Sequence, residues 1–175
     1  MTGPAKLTQL EKITDRFLGG FGYLFPILDL FHFFKFGILD KGLPLTKLLW
    51  PHIGWLFDWY DPMYSLFSFA FIYIFYCRPT KIRFKFRRWV RWNAVQSLLI
   101  GMLCQVHITG FLSLESGLRQ SLFGVWFEGT SYLLLLSMSL YCLYGIIVGV
   151  YPYLPVISDA ADIHIPNRPP YTHWG

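Results

Sequence analysis

The chain has 175 residues, of which 54% are hydrophobic and only 14% are charged, and its mean hydropathy is +0.42. Soluble domains carry about a quarter charged residues, so this composition excludes a typical soluble enzyme or disordered protein and favours an integral membrane protein. The net charge of +5 is concentrated in residues 78–91, which hold seven basic residues and no acidic one. The rest of the chain has eight basic and ten acidic residues and therefore a net charge of −2. Such a short basic stretch between apolar segments is typical of a membrane-flanking loop and argues against a nucleic-acid partner.

Four apolar segments are long enough to form membrane-spanning helices, which need roughly 17–25 residues each. The predicted spans are residues 17–37, 61–78, 91–113 and 129–150. In the first span Asp29 interrupts the apolar run, and Pro26 is expected to kink the helix. In the fourth span Gly145 and Gly149 form a GxxxG pair, which predicts a close approach of another helix.

These segments predict an all-α integral membrane protein with four transmembrane helices. Residues 1–15 form an N-terminal tail, residues 16–151 the transmembrane domain, and residues 152–175 a proline-rich C-terminal tail. Residues 43–60 and 113–127, in the first and third loops, mix tryptophan and leucine with charges and are predicted to be amphipathic segments at the membrane interface.

The loop between the second and third spans carries a belt of basic residues. The belt consists of Arg78, Lys81, Arg83, Lys85, Arg87, Arg88 and Arg91. Because the loop between the third and fourth spans has only Arg119, the positive-inside rule places both termini on the side of the belt. The belt is explained by topology and by binding of anionic headgroups, or alternatively by contact with a polypeptide or partner subunit at a pore mouth.

The third span carries a stripe of polar and small residues at four-residue intervals, with one more amide beside it. The stripe consists of Asn93, Ser97, Gly101, Gln105 and Thr109, and the neighbouring amide is Gln96. Residues at this spacing share one slowly winding face of a helix, and amides are costly against lipid. The stripe therefore predicts either interhelical hydrogen bonds or the lining of a path for a transported chain.

Asp29, His32 and Lys35 share a broad face of the first span. A carboxylate next to a histidine inside a membrane is a candidate proton relay, and the alternative is a helix end wetted at the surface. No motif typical of a nucleophile elbow, a phosphate loop or a zinc helix occurs, so we predict no enzymatic activity, cofactor or metal. The three cysteines include no CxxC pair and are predicted to be buried packing residues.

Two motifs together resemble one known family. Residues 88–97, RWVRWNAVQS, are similar to the start of the third span in the channel-forming Tic subunits of the chloroplast inner envelope, with Trp92 in place of the usual Phe. Residues 152–162, PYLPVISDAAD, are similar to the tail of the same family. The tail positions that match are Pro152, Pro155, Asp159 and Asp162. Tyr23, Pro26 and Asp29 fit its first-span pattern.

This resemblance implies a four-helix subunit that helps to form a protein-conducting path for preproteins, in a complex with other translocon subunits. It implies both termini in the stroma and no chemical reaction. Membrane lipid is a further expected partner, because of the apolar spans and the basic belt. Two alternatives from other classes stay open: a small-solute or proton transporter that uses Asp29 and His32, and a structural scaffold of a membrane complex.

Overall fold

The computed structural model describes residues 8–37, 51, 67, 69–74 and 86–165 of the chain. Within these residues the regular structure is helical and no strand occurs, which agrees with the predicted all-α class. The helices are α1 (Gln9–Phe21), α2 (Leu24–Gly37), α3 (Arg88–Leu112), α4 (Ser116–Gln120), α5 (Leu122–Val148) and α6 (Ile157–His164). Residues 69–72 are also helical.

Two of the described helices, α3 and α5, are long and apolar enough to cross a membrane, at 25 and 27 residues. They coincide with the third and fourth predicted spans, whereas α5 begins earlier than predicted, at Leu122. The Ser121 side chain explains this start, because its Oγ accepts a hydrogen bond from the backbone N–H of Gly124 at 3.1 Å and caps the helix. Part of the predicted interfacial segment 113–127 therefore belongs to α5.

Other predicted segments fall largely outside the described residues. The second span, 61–78, is described only at 67 and 69–74, and the first-loop segment 43–60 only at Pro51. The arrangement of four spans and the division into tails and a membrane domain therefore stay predictions.

The expected kink at Pro26 is wrong. The first apolar segment is instead divided into α1 and α2 by a turn at Gly22 and Tyr23. Pro26 lies in the first turn of α2, where a backbone N–H has no partner within the helix, so proline costs no hydrogen bond there. The turn lies against α3, because a side chain at Gly22 would collide with Oγ of Ser97.

The two glycines of the GxxxG pair in α5 have different neighbours: Gly149 lies against the Arg16 side chain of α1, whereas Gly145 faces the C-terminal segment. A methyl group at Gly145 would lie 2.8 Å from Cβ of Pro152, so this glycine makes room for the C-terminal segment. Gly149 has φ = 87° and ends the helix in a Schellman motif, with its own N–H bonded to Ile146 (3.1 Å) and that of Val150 bonded to Gly145 (2.9 Å). The two glycines terminate α5 and admit the chain that follows it.

Helix α3 is the centre of the described structure, with α1, α2, α5 and α6 packed against it. Arg87, which precedes α3, forms ion pairs with Glu11 (2.8 Å) and Asp15 (3.0 Å) of α1. The indole N–H of Trp92 donates a hydrogen bond of 2.7 Å to Asp162 of α6. The N-terminal and C-terminal helices are therefore both bonded to the same end of α3.

Candidate functional site

The polar stripe of α3 is divided into a buried half and an open half. Asn93 and Gln96 are 0% exposed and Ser97 is 1% exposed, all in the first half of the helix. In the second half Gln105 is half-buried and Thr109 is exposed. Residues that share one helix face in the sequence thus lie in two different environments.

Gln96 is the hub of a buried hydrogen-bond network. Its Oε1 accepts a hydrogen bond from the hydroxyl of Tyr23 at 2.9 Å, and its Nε2 donates to the carbonyl of Pro152 at 2.9 Å and to Oγ of Ser158 at 3.0 Å. Ser158 Oγ also accepts from the backbone N–H of Leu154 at 2.7 Å. One amide therefore joins the α1–α2 turn, α3 and the C-terminal segment.

Asn93 and Ser97 complete the buried half through bonds within their own helix. The Nδ2 of Asn93 donates to the carbonyl of Trp89 at 2.9 Å, and Ser97 Oγ donates to the carbonyl of Ala94 at 2.8 Å. Asn93 Oδ1 lies 3.5 Å from the hydroxyl of Tyr23, a weaker contact than the bond from this hydroxyl to the Gln96 amide. Polar groups buried in this way are satisfied by protein and need no water.

An open groove of about 430 Å³ lies between α2, α3 and residues 69–72. Its polar lining comes from Asp29, Ser97 and Gln105. Its apolar walls include Phe25, Ile72, Leu98, Met102 and Val106. The structure thus brings together three of the predicted site residues from two helices.

Other predicted site residues lie away from this groove. Asn93 and Gln96 belong to the buried network, and neither Thr109 nor the half-buried His32 lines the groove. The relay of Asp29 and His32 stays a prediction. Among the described residues no group of three His, Cys, Asp or Glu side chains could hold a metal ion.

The described part of the basic belt connects α1 to α3. The structure describes Arg87, Arg88 and Arg91, whereas Arg78, Lys81, Arg83 and Lys85 lie outside the described residues. Of the two carboxyl partners of Arg87, Glu11 has its pKa lowered by hydrogen bonds from Thr8 and by the guanidinium. Burial raises the pKa of Asp15, and the nearby guanidinium opposes this rise. The belt thus includes an ion-pair link to the N-terminal helix.

The tail motif is a docking segment for α3 and α5. Pro152 is buried against α5, whereas Pro155 is exposed. Asp159 accepts a hydrogen bond from the hydroxyl of Tyr153 at 3.2 Å, and Asp162 accepts the indole bond described above. Pro152 and Asp162 therefore attach the tail to α5 and α3, while Asp159 makes a bond within the tail.

Sequence reasoning did not identify Tyr23 and Ser158 as partners of Gln96. They lie 73 and 62 residues away from it in the chain, so no local pattern connects them. Trp92 could have indicated that the tail packs against α3. A buried indole needs an acceptor for its N–H, and Asp162 in the tail supplies that acceptor. The cysteine prediction is confirmed for Cys104 and Cys142, which are buried and free, and Cys77 lies outside the described residues.

The comparisons with known proteins agree with the resemblance in the two motifs. Residues 5–161 match the family described as chloroplast import apparatus Tic20-like. The chain belongs to the Tic20 family. The matched range includes the groove, the Gln96 network and the tail as far as Ala161.

Two relatives carry the same family name. The chain is 30% identical over 107 residues to the Tic20 family protein Ycf60 of Gracilaria tenuistipitata var. liui. These aligned residues make up 61% of this chain and 52% of the relative. It is 26% identical over 151 residues to a Tic20 family protein of Synechocystis, and this alignment covers 84% of this chain and 90% of the relative. The chain thus spans about half the length of the first relative and most of the second.

Membership of the Tic20 family points to a role related to a protein import translocon in a plastid-type membrane. The two long apolar helices fit a membrane protein. The family is that of a translocon component, and no feature of the described residues shows catalysis.

Proposed function

We propose that this chain is a membrane subunit of the protein import translocon in the chloroplast inner envelope and helps to form the protein-conducting path. The family match over residues 5–161 supports a place in the translocon. The observation that carries the conducting role is the groove on α3, where Asp29, Ser97 and Gln105 lie between apolar walls. Such a surface suits a polypeptide that must slide without binding tightly.

The chemistry of the groove fits this role. The half-buried amide of Gln105 offers uncharged hydrogen-bond partners to the backbone of an extended preprotein, whereas the hydroxyl of Ser97 is buried and already donates to the carbonyl of Ala94. Apolar walls accept side chains of many kinds, which is a physical basis for low sequence preference. A groove of about 430 Å³ on one chain does not enclose a preprotein, so other translocon subunits are expected to complete the path in a hetero-oligomeric complex.

The rest of the chain then acts as a rigid frame for the groove. We infer four spans, with both termini in the stroma on the side of the basic belt. The attachment of α1 and α6 to the same end of α3 supports this orientation. Residues 1–15 and 152–175 would be the stromal tails on either side of a membrane domain of residues 16–151.

Site-specific photo-crosslinking with a preprotein arrested in transit tests the conducting role. Crosslinker at Gln105 or Met102, which line the groove, is expected to capture the preprotein. Leu103 is a matched control, because it lies on the same turn of α3 and is exposed but does not line the groove. Capture at loops alone, or equal capture at Leu103, would contradict the proposal.

Two alternative functions are separated by simple experiments. A proton or solute transporter would lose flux in liposomes on Asp29→Asn, while preprotein import would survive removal of the protein. A structural scaffold would import normally when Gln105, which lines the groove, is changed to Leu, provided that the variant accumulates to the wild-type level.

A further inference from the structure

A second open groove lies between α1 and α5, away from the groove on α3. It has a volume of about 430 Å³. Its apolar lining includes Ile13, Phe17, Phe21, Leu143, Ile146 and Ile147. Gly20 also lines the groove, and a methyl group at Gly20 would make only ordinary contacts with Ile146 (3.7 Å) and Leu143 (3.8 Å). The absence of a side chain at Gly20 therefore leaves this groove open.

One cation, Arg16, lies in this apolar lining. Its Nη2 is 3.5 Å from the carbonyl of Val148 at the end of α5, which is at the limit of a hydrogen bond. Its Nε is buried and has no hydrogen-bond partner in the part of the chain that the structure describes. The nearby carboxylates of Glu11 and Asp15 are bonded to Arg87 instead. A permanent cation thus retains donor capacity inside an apolar groove.

The rim of the groove is an exposed apolar surface shared by two helices. On α1, Ile13 is 61% exposed and Phe17 is 71% exposed; on α5, Tyr144 is 66% exposed and Ile147 is 68% exposed. α5 is long and apolar enough to span a membrane, and a membrane-spanning α5 would present this rim to lipid together with α1. An amphipathic helix in this position is typical of the membrane interface.

We propose that this groove binds an anionic glycerolipid, with an acyl chain along the α1–α5 walls and the headgroup phosphate at Arg16. The charge selects the headgroup, because a guanidinium forms charge-assisted hydrogen bonds with a phosphate. The apolar walls and the continuity with the lipid-facing surface of α5 select a lipid over a soluble anion. This proposal needs only a membrane-spanning α5 and is independent of protein import.

Native mass spectrometry of the full chain in mild detergent tests the site. Phosphatidylglycerol and phosphatidylcholine with identical acyl chains are the two probes. Arg16→Gln is expected to lower phosphatidylglycerol occupancy about tenfold, the effect of losing one charge-assisted contact, and to change phosphatidylcholine occupancy less than about twofold. Lys12→Gln is the matched control, because it removes the same charge one turn earlier on α1 at a residue that does not line the groove.

Two further variants keep the test decisive if Arg16→Gln weakens the end of α5. Arg16→Lys retains the charge and is expected to keep phosphatidylglycerol occupancy within about threefold of the wild type. Gly20→Leu leaves Arg16 in place and fills the groove, so occupancy by both lipids is expected to fall about tenfold. Unchanged lipid occupancy in Gly20→Leu would overturn the proposal.

Other occupants give different results. Unchanged phosphatidylglycerol occupancy in Arg16→Gln would show that this arginine only caps α5, and an equal loss in Lys12→Gln would show a non-specific charge effect. Competition by free glycerol phosphate would show a site for a soluble anion. A photo-crosslinker at Phe17 that captures a polypeptide in native membranes, and no lipid, would show a protein partner. Each of these four results overturns the proposal.

Discussion

Replacing Gln96 by leucine removes the hub of the buried network. The substitution keeps a side chain of similar length but deletes the acceptor for the Tyr23 hydroxyl and the donors for Pro152 and Ser158. Ser158 retains its bond from the backbone N–H of Leu154. The Tyr23 hydroxyl and the Pro152 carbonyl are the two groups that lose their shortest partner.

The free energy of unfolding should fall by about 2–5 kcal/mol. An interhelical hydrogen bond in a membrane protein averages about 0.6 kcal/mol, so the three bonds of Gln96 give a lower figure of about 2 kcal/mol. A buried polar group left without a partner costs about 1–3 kcal/mol, so two such groups would cost at most about 6 kcal/mol. Both groups keep a weaker contact at 3.5 Å, to Asn93 and to Ser158, which brings the upper figure to about 5 kcal/mol. For a chain of this length the expected decrease in Tm is about 5–15 °C.

Thermal unfolding in detergent, followed by near-ultraviolet circular dichroism, measures this loss. Gln105→Leu is the matched control, since it makes the same change on the same helix at a half-buried position and should alter stability by less than about 0.5 kcal/mol. In a double-mutant cycle with Tyr23→Phe, the two losses should be clearly less than additive. A loss below about 0.5 kcal/mol for Gln96→Leu, or an equal loss for both glutamines, would refute the assignment of Gln96 as the hub.

Two further predictions concern the same end of the molecule. Gly145→Ala should destabilise the chain by about 1–3 kcal/mol, because its methyl group would lie 2.8 Å from Pro152. Gly129→Ala is the matched control in the same thermal assay and should be nearly neutral, because a methyl group there meets open space. Burial raises the pKa of Asp15 above its ordinary value of 3.8, so the folded state favours the protonated carboxyl. The stabilisation from this group should therefore be complete below pH 3.8 and be lost as the pH rises through the raised pKa. The stability difference between wild type and Asp15→Asn, followed against pH in an Arg87→Gln background, should show that loss, and a pH-independent difference would contradict it.

The long helices were predictable from the sequence, and their starts were less so. Long stretches without charge predicted α3 and α5, because an uncharged apolar stretch of about 20 residues is typical of a membrane-spanning helix. The start of α5 depends on one cap at Ser121, a local interaction that hydropathy does not report. The break between α1 and α2 also escaped prediction, because Pro26 is a stronger local signal than the close packing of Gly22 against Ser97.

The candidate site was predicted as a set of residues and not as an arrangement. Four-residue spacing correctly grouped Ser97 and Gln105 on one face of α3, and the resemblance marked Tyr23 and Asp29 in the first segment. Periodicity does not say which turn of that face meets protein and which stays open. Gln96 is buried because the C-terminal segment folds back over it, and that contact joins residues 56 and 62 positions apart.

By itself, the amino-acid sequence determined the all-helical class, the two long apolar helices and the family, because hydropathy, charge placement and short motifs are local properties of the chain. Only the tertiary structure decided which polar groups are fixed and which are available. Burial and hydrogen bonding depend on what the rest of the chain places opposite each residue. The tail covers Gln96, and the α1–α2 turn lies against Asn93 and Ser97, so that Gln105 stays beside an open groove. A second groove stays open at Gly20 and holds the cation of Arg16.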